Sequence, residues 1–299
     1  MFTSYNTHPI QVTDSGPLPI SHFQGADENI DQEVVDSFGD EWTRFNSFDN
    51  EEINKLAKAH YFDIVPATYL RGNILDVGCG TGRWAKYVAQ YAETVDAVDP
   101  STAIYAAANL LAGCGNVRLT QASVGNLPFD DGSFDLVYSL GVLHHIPDTL
   151  MAMKMSVAKV KSGGYFLVYL YYGLDNRGLL FRKLFDLSTY FRRKIAKLPA
   201  EQKNFVCDVL SVTVYMPFII LGSLFKLVGL HKLADKLPLS FYIGKSFHVI
   251  RNDSRDRFGT VLEQRFTKVQ IEDMMTKCGL SEIVFSDQTP YWHAIGKKA

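Results

Sequence analysis

The chain has 299 residues, 47% of them hydrophobic and 21% charged, and a formal net charge of −2. That balance describes a globular chain with one large core or two smaller ones, and it excludes the overall basic excess of a bulk nucleic-acid binder. Four cysteines (Cys79, Cys114, Cys207, Cys278) lack zinc-site spacing and the density of a secreted disulfide scaffold, so they read as reduced thiols in a cytoplasmic protein with no metal centre.

The first residues are polar and carry Pro9, Pro17 and Pro19. No basic start leads into an apolar core, so no cleaved signal peptide is expected. DSFGDEWTRF (36–45) is dense in aromatic residues, and FDNEEINKLAKAHYFDIV after it has the spacing of an amphipathic helix to which no chemistry is assigned.

From about residue 70 the chain alternates. NILDVG predicts a strand, RWAKYVAQYA (83–92) a helix, TVDAVD (94–99) a strand, and STAIYAAANLLAG (101–113) a helix with Ser101 as N-cap and Gly113 at its stop. NVRLTQA predicts a third strand and FDLVYSL (134–140) a fourth. Pro147 and Asp148 open a helix expected to end at Gly163, and YFLVYLYY (165–172) is a fifth strand. Strands and helices at this spacing call for a doubly wound parallel sheet with its ligands at the carboxyl ends of the strands.

The alternation stops at Gly173 and resumes at Thr267, where a capping box starts a helix that Gly279 ends; strands SEIVFSD and YWHAIGK follow. Residues 173–258 are thus a mostly helical insertion after the fifth strand, expected to lie over the mouth of the sheet as a substrate lid. Within it, VTVYMPFIILGSLFKLVGL (212–230) is almost wholly apolar and close to spanning length, yet Pro217, Gly222 and Lys226 interrupt it, which favours a buried or membrane-surface helix pair. Between Asp175 and Pro199, seven basic residues (Arg177, Arg182, Lys183, Arg192, Arg193, Lys194, Lys197) stand against two acids (Asp175, Asp186). Basic and apolar stretches side by side fit either a solvated helix face, or peripheral contact of 177–230 with the inner face of a membrane, or an anionic or lipid-linked acceptor.

ILDVGCGTG (74–82) carries glycines at alternate positions, Gly78, Gly80 and Gly82, directly after the acid Asp76. Residues without a Cβ let a ligand approach the backbone at the sheet's switch point. A dinucleotide fingerprint wants its third glycine one position later, and that position is Arg83. Asp99 ends the second strand, where its two carboxylate oxygens can accept both hydroxyls of an adenosine ribose.

DVGCGTG, AVDPS and NLPFDDGSFDLVYSLGVLHHIPD together resemble the successive motifs of the class I S-adenosylmethionine-dependent methyltransferases, in particular the small-molecule group similar to quinone-biosynthesis methyltransferases. The resemblance implies an α/β, Rossmann-like, doubly wound seven-stranded sheet with an antiparallel last strand. It divides the chain into an N-terminal extension with cofactor-covering helices (1–69), an S-adenosylmethionine-binding core (70–172), the lid or substrate insertion (173–258) and a C-terminal completion of the sheet (259–299). It implies that Asp76, Gly78 and Gly80 hold the methionine end of S-adenosylmethionine, Asp99 the ribose, and backbone near Leu140 the amino group, with Gly82 and Pro100 also among the cofactor-binding residues. Ser123 stands where the family usually has an acid facing the adenine amino group. In such proteins the segment before the first strand often folds over the cofactor, which casts Phe38, Trp42 and Phe45 as a cover, with Arg44 reaching a carboxylate.

Methyl transfer from a sulfonium needs alignment and exclusion of water, and a hydroxyl acceptor must also lose a proton. Either histidine at the end of the fourth strand can take it, His145 before His144, because it lies further toward the strand's exit. Tyr171, Glu263, Arg265, Tyr291 and Trp292, with His293, are the candidate acceptor contacts, and Glu263 and Arg265 with the last-strand residues fit equally an internal salt bridge and a core edge. LYYGLDNRG, DRFGTVLEQRFTK and PYWHAIG look like a recurring subgroup of the family associated with bacterial glycan contexts, which implies O-methylation of a hydroxyl on a small glycan, lipid-linked or otherwise amphipathic acceptor. Three other readings stand beside it: C-methylation of a quinone or other biosynthetic intermediate, a nicotinamide-dependent oxidoreductase, and a non-catalytic cofactor-binding scaffold.

Overall fold

The structure is a computed structural model and describes residues 1–299 apart from 15, 26, 28, 45–49, 176–177, 236, 246, 248–249, 252–253, 256–257 and 259–261. The chain divides into two units, Met1–Asp175 with Leu262–Ala299, and Asn176–Val261.

The first unit holds one sheet. Its strands are β1 (Gln11–Thr13), β2 (Ile20–His22), β3 (Asn73–Val77), β4 (Thr94–Val98), β5 (Val117–Gln121), β6 (Phe134–Leu140), β7 (Val160–Tyr169), β8 (Leu280–Phe285) and β9 (His293–Lys298). Their order is β1-β2-β5-β4-β3-β6-β7-β9-β8. β3 to β7 run parallel, and β9 is antiparallel to both its neighbours. The expected seven strands are therefore present, and the sheet has nine, because β2 from the N-terminal extension pairs parallel with β5 and β1 turns back on β2. Three-residue strands in a Pro- and Gly-flanked segment give too short a pattern to read.

The centre of the sheet follows from burial on both faces. Ile74, Leu75, Leu119 and Leu136 are fully buried, and each contributes about 1.5–3 kcal/mol relative to exposure. That leaves β3 no solvated face, as a central parallel strand requires.

The helices of this unit are α1 (Gln32–Arg44), α2 (Asn50–His60), α3 (Arg83–Val88), α4 (Ala103–Leu110) and α5 (Thr149–Ala158), with Lys268–Lys277 near the C-terminus. α5 starts as expected, the Asp148 side chain accepting from Met151 N at 2.9 Å. It ends at Ala158 and not at Gly163, since β7 already begins at Val160, five residues before the predicted strand, across a register shift against β6. α3 stops at Val88, short of the predicted residue 92. The helix Lys268–Lys277 has its capping box, formed by Thr267 and Gln270. α4 has Thr102 at its cap position without a side-chain bond, and the predicted cap Ser101 supplies that bond from one residue earlier, its hydroxyl accepting from Ala103 N at 3.2 Å while donating to Asp99.

The second unit is helical where it is described: α6 (Leu179–Ile195), α7 (Ala200–Leu210), a π turn (Ser211–Tyr215), α8 (Met216–Leu227) and α9 (His231–Ala234); the C-terminal helix Lys268–Lys277 of the first unit is α10. α7, the π turn and α8 form one uninterrupted run, Glu201–Leu227. Pro217 and Gly222 do not split it into a pair. Met216 N bonds Ser211 O across the wide turn, which lies directly ahead of Pro217, a residue with no N–H to give to the preceding turn. The run is not buried: 28% of its most apolar window is covered. Arg177 and the side chains of Arg182 and Asp186 lie outside the described residues.

Candidate active site

The glycine turn shows which of its members make room for a ligand. Gly78, Gly80 and Gly82 all have positive φ (82°, 53° and 80°), a conformation that residues with a Cβ rarely adopt. Their surroundings differ. A Cβ on Gly78 would come within 2.5 Å of the Val142 side chain, and one on Gly82 within 2.6 Å of Leu111 and 3.1 Å of Ala107. Both therefore serve internal packing. A Cβ on Gly80 would meet nothing within 4 Å, so open space lies against the backbone there.

Two buried acids flank that turn. Asp99 fastens it: Oδ2 accepts from Gly80 N at 2.8 Å, and Oδ1 accepts from Ser101 N at 2.9 Å and Ser101 Oγ at 2.6 Å. Burial raises its carboxyl above the ordinary range against these hydrogen bonds. Each oxygen keeps a further lone pair for a ligand hydroxyl. Asp76 lies in register with Tyr138, whose hydroxyl donates to Oδ2 at 2.9 Å. Burial first, and the charge of Asp99 after it, push Asp76 up to about 8, the Tyr138 bond opposing. Among the described residues no basic side chain is paired with either acid. A cationic ligand would draw these acids into their charged form, whereas a pyrophosphate would find no positive charge paired with them among the described residues.

Ser123 stands just before the short turn Val124–Asn126, with its hydroxyl 3.5 Å from Asn126 Nδ2. A carboxylate does reach this loop, from elsewhere: Asp27 Oδ2 accepts from Gly125 N at 3.2 Å. Nothing in the local sequence signals this contact. Asn29, buried, is bonded reciprocally to Asp148, giving 2.9 Å to its carbonyl and taking 2.7 Å from its amide. These contacts lead into α1, which touches three sides of the strand ends. Phe38 lies edge-on to His145 with ring centroids 4.7 Å apart, Gly39 packs on Thr102 at the start of α4, and Trp42 stands 4.8 Å from the Arg83 guanidinium. Arg83 is in turn 4.9 Å from Trp84. Phe45 and the Arg44 side chain, expected in the same cover, lie outside the described residues. Leu140 is buried at the end of β6, and Pro100 presents its carbonyl to Gln121 Nε2 at 3.2 Å.

The histidines follow β6. His145 Nδ1 is 2.8 Å from Leu262 O. A carbonyl can only accept, so Nδ1 carries hydrogen and in the neutral ring the lone pair is on Nε2. His144 is fully buried, stacked 3.9 Å from Tyr171 and 4.1 Å from His145, and neither ring nitrogen has a hydrogen-bond partner. Burial, with the neighbouring His145 and Arg265, holds its pKa well below the usual value, so it is neutral at pH 7. The segment 262–266 closes this group. Gln264 N bonds His144 O at 3.0 Å, and Arg265 bonds Glu263 Oε1 at 2.8 Å and lies 5.2 Å from the Tyr171 ring.

The predicted acceptor residues thus separate. Tyr171, Glu263 and Arg265 gather with the two histidines. Trp292 and His293 are engaged internally, the indole donating to Asp175 at 2.8 Å and the imidazole lying between Asp63 at 2.6 Å and the Pro290 carbonyl at 2.8 Å. Tyr291 packs on Tyr172 and Trp292.

A sheet of this order, a glycine turn open at Gly80 and two buried acids at adjacent strand ends define a Rossmann-like domain with its open turn beside those acids. Residues 75–168 match a family described as "Methyltransferase domain". The chain carries a methyltransferase domain over these residues. It is 30% identical over 139 residues to a demethylmenaquinone methyltransferase of Staphylococcus epidermidis, covering 44% of this chain and 56% of that protein. It is 27% identical over 146 residues to a ubiquinone biosynthesis O-methyltransferase of Vibrio parahaemolyticus, covering 46% and 62%. The chain spans about half the length of the curated relatives it matches. In fold it resembles DhpI in complex with SAH, at 15% identity and a TM-score of 0.53 over 92% of this chain and 99% of that one.

Proposed function

We propose that the protein transfers the methyl group of S-adenosylmethionine to a hydroxyl of a small amphipathic acceptor. The observation that carries the reading is the pair of buried acids beside the open face of Gly80. A sulfonium and an ammonium are cations that such a site favours, whereas the pyrophosphate of a nicotinamide cofactor would face two carboxylates. When bound, S-adenosylmethionine supplies a methyl group already activated for displacement, with a neutral thioether as leaving group.

The chain's own residues then have limited work to do. Asp99 and the Gly80 amide hold the turn in shape, Asp76 neutralises positive charge, and α1 shields the strand ends from water through Phe38 and Trp42. The proton of the acceptor hydroxyl goes to Nε2 of His145, the lone-pair nitrogen in the tautomer that Leu262 O selects. His144, held neutral, stacks between His145 and Tyr171 and keeps a second positive charge away from the base. Tyr171, with the Glu263–Arg265 pair beside it, orients the acceptor. A relative named for O-methylation agrees with this assignment. A relative named for menaquinone supports the runner-up, C-methylation, which makes less demand on a base.

Calorimetry tests the cofactor. S-adenosylhomocysteine should bind and NADH should not, and Asp99→Ala should weaken S-adenosylhomocysteine by about 2–4 kcal/mol in a folded protein. Equal affinity in Asp99→Ala and the parent would remove Asp99 from the site.

A further inference from the structure

The second unit has a surface that cofactor chemistry does not explain. Residues 176–261 hold fifteen Lys and Arg against six Asp and Glu, a net charge of +9; the whole chain is −2, so the first unit carries −11. The same unit exposes large apolar side chains along the run Glu201–Leu227: Phe205, Val209, Ile220, Leu224 and Leu227 are 43–83% exposed. Helical spacing puts these five on one flank. The opposite flank, Cys207, Ser211, Tyr215, Ile219 and Gly222, is buried against the unit itself, where Gly222 packs on Ile243 and Ser254 Oγ donates to Cys207 O at 2.8 Å.

Hydroxyls in this run are turned back on the helix. Ser211 Oγ donates to Asp208 O, Thr213 Oγ1 to Val209 O and Ser223 Oγ to Ile219 O, at 2.7–2.8 Å. A helix that satisfies its own polar groups loses little on leaving water. α6 combines both features in one element, with Leu187, Tyr190 and Phe191 half exposed beside exposed Lys183, Arg193 and Lys194, and Lys194 4.6 Å from the Tyr190 ring.

We infer that the second unit docks on the surface of an anionic bilayer. The exposed flank of Glu201–Leu227 lies in the plane of the interface, and the basic residues of α6 meet lipid headgroups. Three observations select this occupant. A helix crossing the bilayer would have to give up its buried flank, including the ion pairs of Asp208 with Arg251 and Arg255 at 2.9 Å. A second copy docked through the same unit would set +9 against +9. A nucleic acid would use the charge and leave the apolar flank in water. The inference stands on this unit alone and does not depend on the reaction.

Flotation of the full chain with vesicles tests it. Vesicles of phosphatidylcholine with about a third phosphatidylglycerol should bind the protein about tenfold or more better than phosphatidylcholine alone at about 0.1 M salt, and the preference should fall at about 0.5 M. Combined Arg193→Glu, Lys194→Glu and Lys197→Glu should abolish the preference. Combined Ile220→Gln, Leu224→Gln and Leu227→Gln should abolish retention at high salt. All six side chains lie on described exposed positions, and circular dichroism checks that each variant folds. A folded protein that floats with neither vesicle overturns the inference. So does recovery only by detergent from carbonate-washed membranes, which would mean a span, or a dimer that the Gln variant dissociates in the absence of lipid, which would mean a second copy.

Discussion

The two units use apolar residues in opposite ways. In the first, Ile74, Leu75, Leu119 and Leu136 are turned inward on a sheet until no strand in its centre has a wet face. In the second, an equally apolar helix buries one narrow flank and presents the other to its surroundings. Charge divides along the same line, −11 against +9. The chain's near-neutral total and moderate hydrophobic fraction conceal both. One unit centres its site on two buried acids, and the other exposes an apolar flank in a basic stretch of sequence, so their responses to substitution, pH and salt should differ.

The largest expected effect is at the turn of the first unit. Gly80→Val places a branched side chain in the open space beside the backbone, at φ 53°. S-adenosylhomocysteine affinity should fall by more than about 1,000-fold, roughly 4 kcal/mol. Gly82→Ala, whose Cβ would strike Leu111, should act mainly on thermal stability. Calorimetry and melting curves on both variants separate a glycine that makes room for a ligand from one that makes room for the fold. Identical profiles would remove that distinction.

Next is the base. His145→Ala should lower turnover by about 100-fold or more, near 2.7 kcal/mol of barrier, with S-adenosylmethionine affinity nearly intact. If His145→Ala and His144→Ala both turn over normally on the true acceptor, neither imidazole takes the proton, and C-methylation or alignment alone becomes the better reading.

A smaller effect comes from Asp76, raised to about 8 by burial. Without ligand, the folded chain holds this proton where an unfolded carboxyl has released it, so the contribution of Asp76 to stability is full below about pH 4 and is lost as pH rises toward 8. A cationic ligand favours the carboxylate. Affinity for the ligand's ammonium should therefore rise with pH, by up to about tenfold per unit, and level off above about 8. Asp76→Asn should flatten both curves. Melting and binding series across this range give the two slopes, and parallel slopes in parent and variant would assign the dependence to another group.

The strands β3 to β9 and the glycine turn after β3 were legible because each rests on local pattern, continuous apolar runs and turn glycines, whereas the antiparallel last strand was implied by the family resemblance alone. What escaped reading is non-local. β1 and β2 are too short to carry a period, yet pairing with β5 fixes them. Asp27 reaches Gly125 and Asn29 reaches Asp148 across roughly a hundred residues of chain, and no spacing rule connects them. Trp292 looked like an acceptor contact by position, and its indole is bonded to Asp175. Pro217 looked like a helix break, and the π turn ahead of it carried the helix through. In each case a tertiary or medium-range bond, invisible in composition, outweighed the local signal.

The smallest effect sharpens the comparison most directly. Leu224 is 53% exposed and Leu136 fully buried. Replacing a half-wet leucine by glutamine removes little transfer free energy, so Leu224→Gln should change the unfolding free energy of the protein in vesicle-free buffer by no more than about 0.5 kcal/mol. A covered leucine would cost more, because both the lost apolar burial and a buried amide count against the folded state, at about 2 kcal/mol or above. Chemical denaturation read by fluorescence distinguishes the two. A cost of that size in lipid-free solution would show that something already covers the outward flank, and the contrast between an inward core and an outward apolar surface would not survive it. A null result in buffer joined to lost vesicle retention at high salt would mean that Leu224 does its work only when a bilayer is present.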